Sequence, residues 1–130
     1  GALAGLVAIT AEPLTPTPGL ALVIGSIGAL IMYFGTKMLE SFGIDDVVGA
    51  IPVHMFAGIF GTLVVPISNE GTSFGTQFVG TISVCVFSFV LSYLVFLSLK
   101  ATVGLRISKA AEKLGTDKSE IGVTAYAIRD

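Results

Sequence analysis

The chain has 130 residues, 53% of them hydrophobic and only 12% charged, with a formal net charge of −2. Its mean hydropathy is +0.91, which excludes an ordinary soluble domain and points to membrane-spanning segments in a lipid bilayer. There is no basic block, so nucleic-acid binding has no support.

Gly1 is not an initiator methionine, and residues 1–11 read as a helix cut short. Eleven residues reach roughly 16 Å, about half the hydrocarbon thickness. A signal peptide would need a basic n-region, and none is present. The expectation is therefore a C-terminal fragment of a longer protein. Gly1 and Gly5, then Ala4 and Ala8, are four apart, which places small residues on one face for close helix contact. Glu12, Pro13, Pro16 and Pro18 predict a short rigid loop. A second span covers about 19–39, apolar all round, with Gly25, Gly28 and Gly35 as points of close approach. Lys37 and Glu40 mark its end and Gly43 stops it.

The third span opens on the segment IDDVVGAIPVH at 44–54. Residues 47–69 are 23 residues without a formal charge, enough to cross a bilayer. Asp46 is a predicted N-cap, and Asp45 adds negative charge at the positive end of the helix dipole. Pro52 removes one backbone donor and frees the Val48 carbonyl, which in lipid needs another partner. The span closes near Val65, at Pro66. A polar loop covers 67–75, and a fourth span runs from about 75 to 103. Phe87, Phe89, Tyr93 and Phe96 read as packing or lipid-facing residues. The one cysteine, Cys85, reads as a small apolar packing residue, and no metal-ligand spacing exists. No cofactor and no enzymatic activity are expected. The membrane part is thus 1–103, and 104–130 is a polar tail.

Orientation follows from the basic residues, Lys37, Lys100, Arg106, Lys109, Lys113, Lys118 and Arg129. With alternating spans, all of them fall on one side. The loops around 12–18 and 67–75 carry Glu12 and Glu70 but neither Lys nor Arg. The positive-inside rule places the tail and the 40–46 loop in the cytoplasm, with both aspartates at the inner mouth of the third span.

His54 is the only histidine and lies within an apolar span, where an ionisable ring marks a functional candidate. Ala50, His54, Ala57 or Gly58, and Gly61 share one helical face at three- and four-residue steps. Met55 points about 100° away on an α-helix. Three readings stay open. The ring is a neutral side chain bonded to a neighbouring helix, a metal or haem ligand, or a proton and substrate relay in a pore. A relay in a dry lumen needs a second partner for its other nitrogen.

Four segments carry a family resemblance: GALAGLVAIT at 1–10, IDDVVGAIPVH at 44–54, AGIFGT at 57–62 and VGLR at 103–106. In this order and spacing the chain resembles the C-terminal part of the ammonium transporter (Amt/MEP/Rh) family, in its bacterial and archaeal Amt branch. The resemblance implies an all-α membrane protein with an eleven-helix fold. This chain would hold the end of helix 8, helices 9 to 11 and the cytoplasmic tail, in the cell (inner) membrane. It implies a homotrimer with one narrow pore per subunit, lined by two histidines of which His54 is the second. Leu3 and Ala50 fall at pore-lining positions, and Thr10 lies on the same helix as Leu3, toward the outside. Asp45 and Asp46 would anchor the third span at the cytoplasmic vestibule. In the tail, Arg106, Gly115, Asp117 and Tyr126 match positions tied to docking and to a PII-type signalling protein.

The implied activity is ammonium transport: recruitment, deprotonation, and passage of ammonia through an apolar lumen. Two other readings are an ammonium sensor on the same fold, which would carry a fused signalling domain, and a membrane packing subunit without transport. This chain departs from the family pattern in three places. Val47 stands where proline is common, Phe60 where tryptophan is frequent, and Ile121 where the tail has histidine.

Overall fold

The computed structural model describes residues 1–125 and contains helices but no strand among them. Tyr126 and Arg129 lie outside the described residues. Helix α1 is Ala2–Thr10 and α2 is Pro18–Ser41. A π-helical turn, Ile51–Phe56, runs into α3, Ala57–Val64, which ends in a 3-10 turn, Val65–Ile67. Helix α4 is Phe74–Thr102. The tail carries α5, Lys109–Leu114, and a second π-helical turn, Asp117–Ile121.

Local chemistry fixes the ends of α2. The Leu20 N–H donates to Thr17 Oγ1 at 3.3 Å, and Pro18 stands at the first helical position, where its missing donor costs nothing. At the far end Gly43 adopts φ +69°. The Gly43 N–H donates to the Glu40 carbonyl and the Ile44 N–H to the Leu39 carbonyl, each at 3.0 Å. This paired pattern is a Schellman stop, which needs a residue tolerant of left-handed backbone.

Among the described residues two helices, α2 and α4, are long and apolar enough to cross a membrane. The third apolar stretch is shorter, Ile51–Ile67, about 25 Å of rise. The sequence predicted a full span entering at Asp46; the structure begins that helix later. Val47 and Val48 form a turn, and Gly49 is left-handed at φ +69°. The physical reason lies with Asp46 and Pro52. Asp46 Oδ1 accepts from the Ala50 N–H at 2.9 Å and Oδ2 from the Ile51 N–H at 2.7 Å. Its carboxylate caps the helix across a full turn rather than from the adjacent position. Pro52 has no N–H, and the Ala57 N–H reaches back to the Pro52 carbonyl, the wide register of a π turn.

Packing separates two compact units, Gly1–Phe87 and Ser88–Asp130. In the first, α1 packs on α2 and on α3. Ala4, Ala8, Gly28, Ala57 and Gly61 are all buried, and their lack of bulk lets the backbones meet. A β-carbon at Gly28 would lie 2.6 Å from Ala8 Cβ and 2.9 Å from the Ala4 carbonyl oxygen. One at Gly35 would lie 3.2 Å from Pro52 Cβ and run into the Phe56 ring. Small residues at such crossings substitute dispersion contact for a hydrophobic driving force that lipid does not provide. The loop after α1 and the loop before α4 sit at the same end of this unit. Asn69 Nδ2 donates to Glu12 Oε2 at 2.9 Å, and Thr15 Oγ1 donates to Ser68 Oγ at 3.1 Å.

In the second unit Phe89, Tyr93 and Phe96 are exposed along α4. Ser108 caps α5, its Oγ accepting from the Ala111 N–H at 3.2 Å. Gly115 ends α5 with φ +96°, and a β-carbon there would lie 2.5 Å from Asp117 Oδ1. Both the backbone angle and the crowding require glycine.

Candidate functional site

The π-helical turn decides where His54 goes. His54 is exposed rather than enclosed between helices, and it lines a cleft of about 290 Å³. The opposing wall comes from the first turns of α4 and includes Gly80, Thr81, Val84 and Cys85. Gly58 and Thr62, four and eight residues after His54, complete its own side. The small-residue stripe predicted from helical periodicity is therefore divided. Gly58 stays with His54, whereas Ala57 and Gly61 are buried, Gly61 against Ala8 of α1. Met55 also lines the cleft, although α-helical spacing had directed it away. A π turn advances through a smaller angle per residue, which brings consecutive side chains onto one wall.

Of the other residues placed by resemblance along a pore, none borders this cleft. Leu3 is 66% exposed on α1. Ala50 is exposed at the start of the π turn. Thr10 is exposed, and its hydroxyl donates to the Leu6 carbonyl at 2.6 Å within α1.

Asp45 and Asp46 border a smaller cavity of about 90 Å³, together with Thr36, Leu39, Glu40 and Pro52. Asp46 is half-buried and occupied with its two backbone donors, while Asp45 is exposed and shares neither bond. Among the described residues no cluster of three or more His, Cys, Asp or Glu side chains is placed to hold a metal ion.

In the tail, Arg106 forms an ion pair with Glu112, and both side chains are well exposed, an arrangement of small energetic weight. Asp117 Oδ2 accepts from the Ala125 N–H at 2.9 Å. This bond, and after it the backbone N–H of Lys118, holds the Asp117 carboxyl below its ordinary pKa. Gly115, beside Asp117, provides the left-handed corner that makes room for it.

Sequence reasoning missed Thr81. It is the buried residue of α4, only 9% exposed, and its Oγ1 has no hydrogen-bond partner among the described residues. The available signal was a Gly-Thr pair at 80–81 interrupting an apolar run.

Residues 1–126 match the family profile described as Ammonium Transporter Family. Ammonium transporter Amt2 of Archaeoglobus fulgidus is 36% identical over 97% of this chain and 31% of its own length. Ammonium transporter Amt1 of Haloferax mediterranei is 35% identical over 97% of this chain and 25% of its own. Ammonium transporter 1 of Schizosaccharomyces pombe is 30% identical over the whole chain and 31% of its own length. The apolar helices and this match define a helical membrane protein. The chain belongs to the ammonium transporter family and spans 25–31% of the length of these relatives.

Proposed function

We propose that the complete polypeptide carrying this chain transports ammonium across the cell (inner) membrane, and that His54 belongs to its conduction path. The observation that carries the proposal is the family match over residues 1–126, with His54 on a cleft otherwise walled by apolar and hydroxyl groups. A bare monovalent cation entering hydrocarbon costs on the order of 20 kcal/mol in the Born limit. Potassium and sodium cannot lose their charge, but ammonium can, by releasing a proton. A neutral imidazole offers one donor and one acceptor to a passing nitrogen. His54 is the inner of two pore histidines in this reading, and its partner ring lies on a segment outside this chain. Leu3 and Ala50 stand apart from the His54 cleft; in this reading they line the path elsewhere along its length, with Thr10 toward its outer end.

A cytoplasmic C-terminus is supported by the distribution of Lys and Arg, and it places Asp45 and Asp46 at the inner vestibule. Assembly as a homotrimer follows from the family reading. So does a tail that docks through Arg106, Gly115, Asp117 and Tyr126 and communicates with a PII-type protein.

The test is His54→Ala in the full-length protein, reconstituted in vesicles. The expected outcome is loss of ammonium conduction, or entry of potassium. Unchanged selectivity for ammonium over potassium would leave His54 as a packing residue and overturn the proposal.

A further inference from the structure

We infer that Gly35 of α2 is a positioning residue for His54: the space left by its missing side chain seats one face of the π turn and so directs the imidazole away from α2; this rests on the transport reading above. Gly35 is buried. A β-carbon there would lie 2.5 Å from Phe56 Cδ2, 3.0 Å from Phe56 Cε2 and 3.2 Å from Pro52 Cβ. Pro52 is itself fully buried and Phe56 half-buried, while His54, between them in sequence, is exposed.

Pro52 and Phe56 are four residues apart, so they share the face of the turn that is set against Gly35. His54 is two residues from each, roughly half a turn away in either α or π geometry. Seating that pair on α2 therefore sends His54 to the opposite side. The seat has little freedom. The start of the turn is tied by Asp46, which accepts from the Ala50 and Ile51 N–H groups at 2.9 and 2.7 Å. The Pro52 side chain is closed onto its own backbone and has no rotamer to change. Phe56 Cδ2 lies near the root of its side chain, so swinging the far end of the ring does not clear it. A carbon added at Gly35 thus displaces the turn, and the histidine with it. Gly28 makes an instructive contrast. It is also buried on α2 and equally crowded, but its β-carbon would meet Ala8 Cβ at 2.6 Å and the Ala4 carbonyl oxygen at 2.9 Å, both on α1.

Gly35→Ala and Gly28→Ala, each alone and combined with Phe56→Val, are made in the full-length protein and assayed in vesicles beside His54→Ala. The readout is the ratio of ammonium to potassium conduction, which does not depend on how much of the protein is folded. Gly35→Ala is expected to lower that ratio about tenfold or more, toward the value of His54→Ala, within the cost of misplacing a working group by about 1 Å. Valine lacks the δ and ε carbons that crowd the added methyl. Phe56→Val therefore restores at least half of the ratio to Gly35→Ala and leaves that of Gly28→Ala unchanged. A wild-type ratio in Gly35→Ala, with His54→Ala defective, overturns the role of Gly35 and leaves the transport reading intact. So does a double variant no better than Gly35→Ala, or equal rescue of Gly28→Ala. Where Gly35→Ala alone does not fold, the combination with Phe56→Val decides. A ratio above that of His54→Ala supports the seat, and an equal ratio, or a double variant that does not fold either, overturns it. A wild-type ratio in His54→Ala overturns the transport reading and this inference together.

Discussion

Gly61 of α3 rests directly on the backbone of Ala8 in α1: a β-carbon at Gly61 would lie 2.8 Å from Ala8 Cα and closer still to the Ala8 carbonyl oxygen. Backbone cannot step aside as a flexible side chain can, so this contact sets the separation of the two helices. It also bears on the orientation of the helix that carries His54, because Gly61 faces α1 while His54 lines the cleft. A position seven residues from the histidine thus sets how its helix meets α1.

Gly61→Val in the full-length protein is expected to lower its stability by about 1–3 kcal/mol through overpacking. Gly19→Ala is the control, since nothing lies within 4 Å of a β-carbon there, and it should be neutral or slightly stabilising. Thermal unfolding of the detergent-solubilised protein compares the two. Equal melting temperatures would mean that α1 and α3 do not meet at Gly61 in the assembled protein.

Asp46 and Asp45 are adjacent in sequence but unequal in structure. Only Asp46 accepts from the Ala50 and Ile51 N–H groups. Asp46→Ala should cost about 0.5–2 kcal/mol, the range for losing a helix cap. Asp46→Asn should fall between it and the wild type, because an amide keeps one acceptor oxygen. Asp45→Ala should leave the melting temperature unchanged. Matching effects from the two alanine variants would contradict the capping geometry.

The depressed pKa of Asp117 gives the tail a pH dependence with a definite sign. A carboxyl held low by hydrogen bonds to its ionised form stabilises the ordered tail fully above the ordinary carboxylate pKa of about 4. That contribution is lost as pH falls through the depressed value. Ala125 amide protection, corrected for intrinsic exchange, should therefore decline as pH is lowered from 6 toward 2. Asp117→Ala should show the reduced protection already at pH 6. Protection independent of both pH and the substitution would remove the Asp117–Ala125 bond from the solution structure.

How far the site was legible depends on which forces act locally. The long spans were readable, at about 19–39 and 75–103 in the sequence and Pro18–Ser41 and Phe74–Thr102 in the structure. Uninterrupted apolar runs and terminal Pro, Thr and Gly residues act through neighbouring backbone alone. The third span was misjudged because three local effects compete there. Gly49 turns left-handed, Pro52 withdraws a donor, and the Asp46 carboxylate reaches forward to accept from the Ala50 and Ile51 N–H groups. The resulting π turn changes the side-chain register, so the stripe drawn through Ala50, His54, Ala57 or Gly58, and Gly61 is divided, Gly58 staying with His54.

By itself the sequence determined the helical class, the long apolar helices and the family. All of these depend on residue type and order along the chain. Tertiary structure alone decided that His54 looks onto a cleft with Thr81, that Leu3, Ala50 and Thr10 stand apart from that cleft, and that Gly61 is the pivot against α1. Those relationships arise where segments distant in sequence touch, and the close fit of backbone against backbone is not written in the periodicity of either segment.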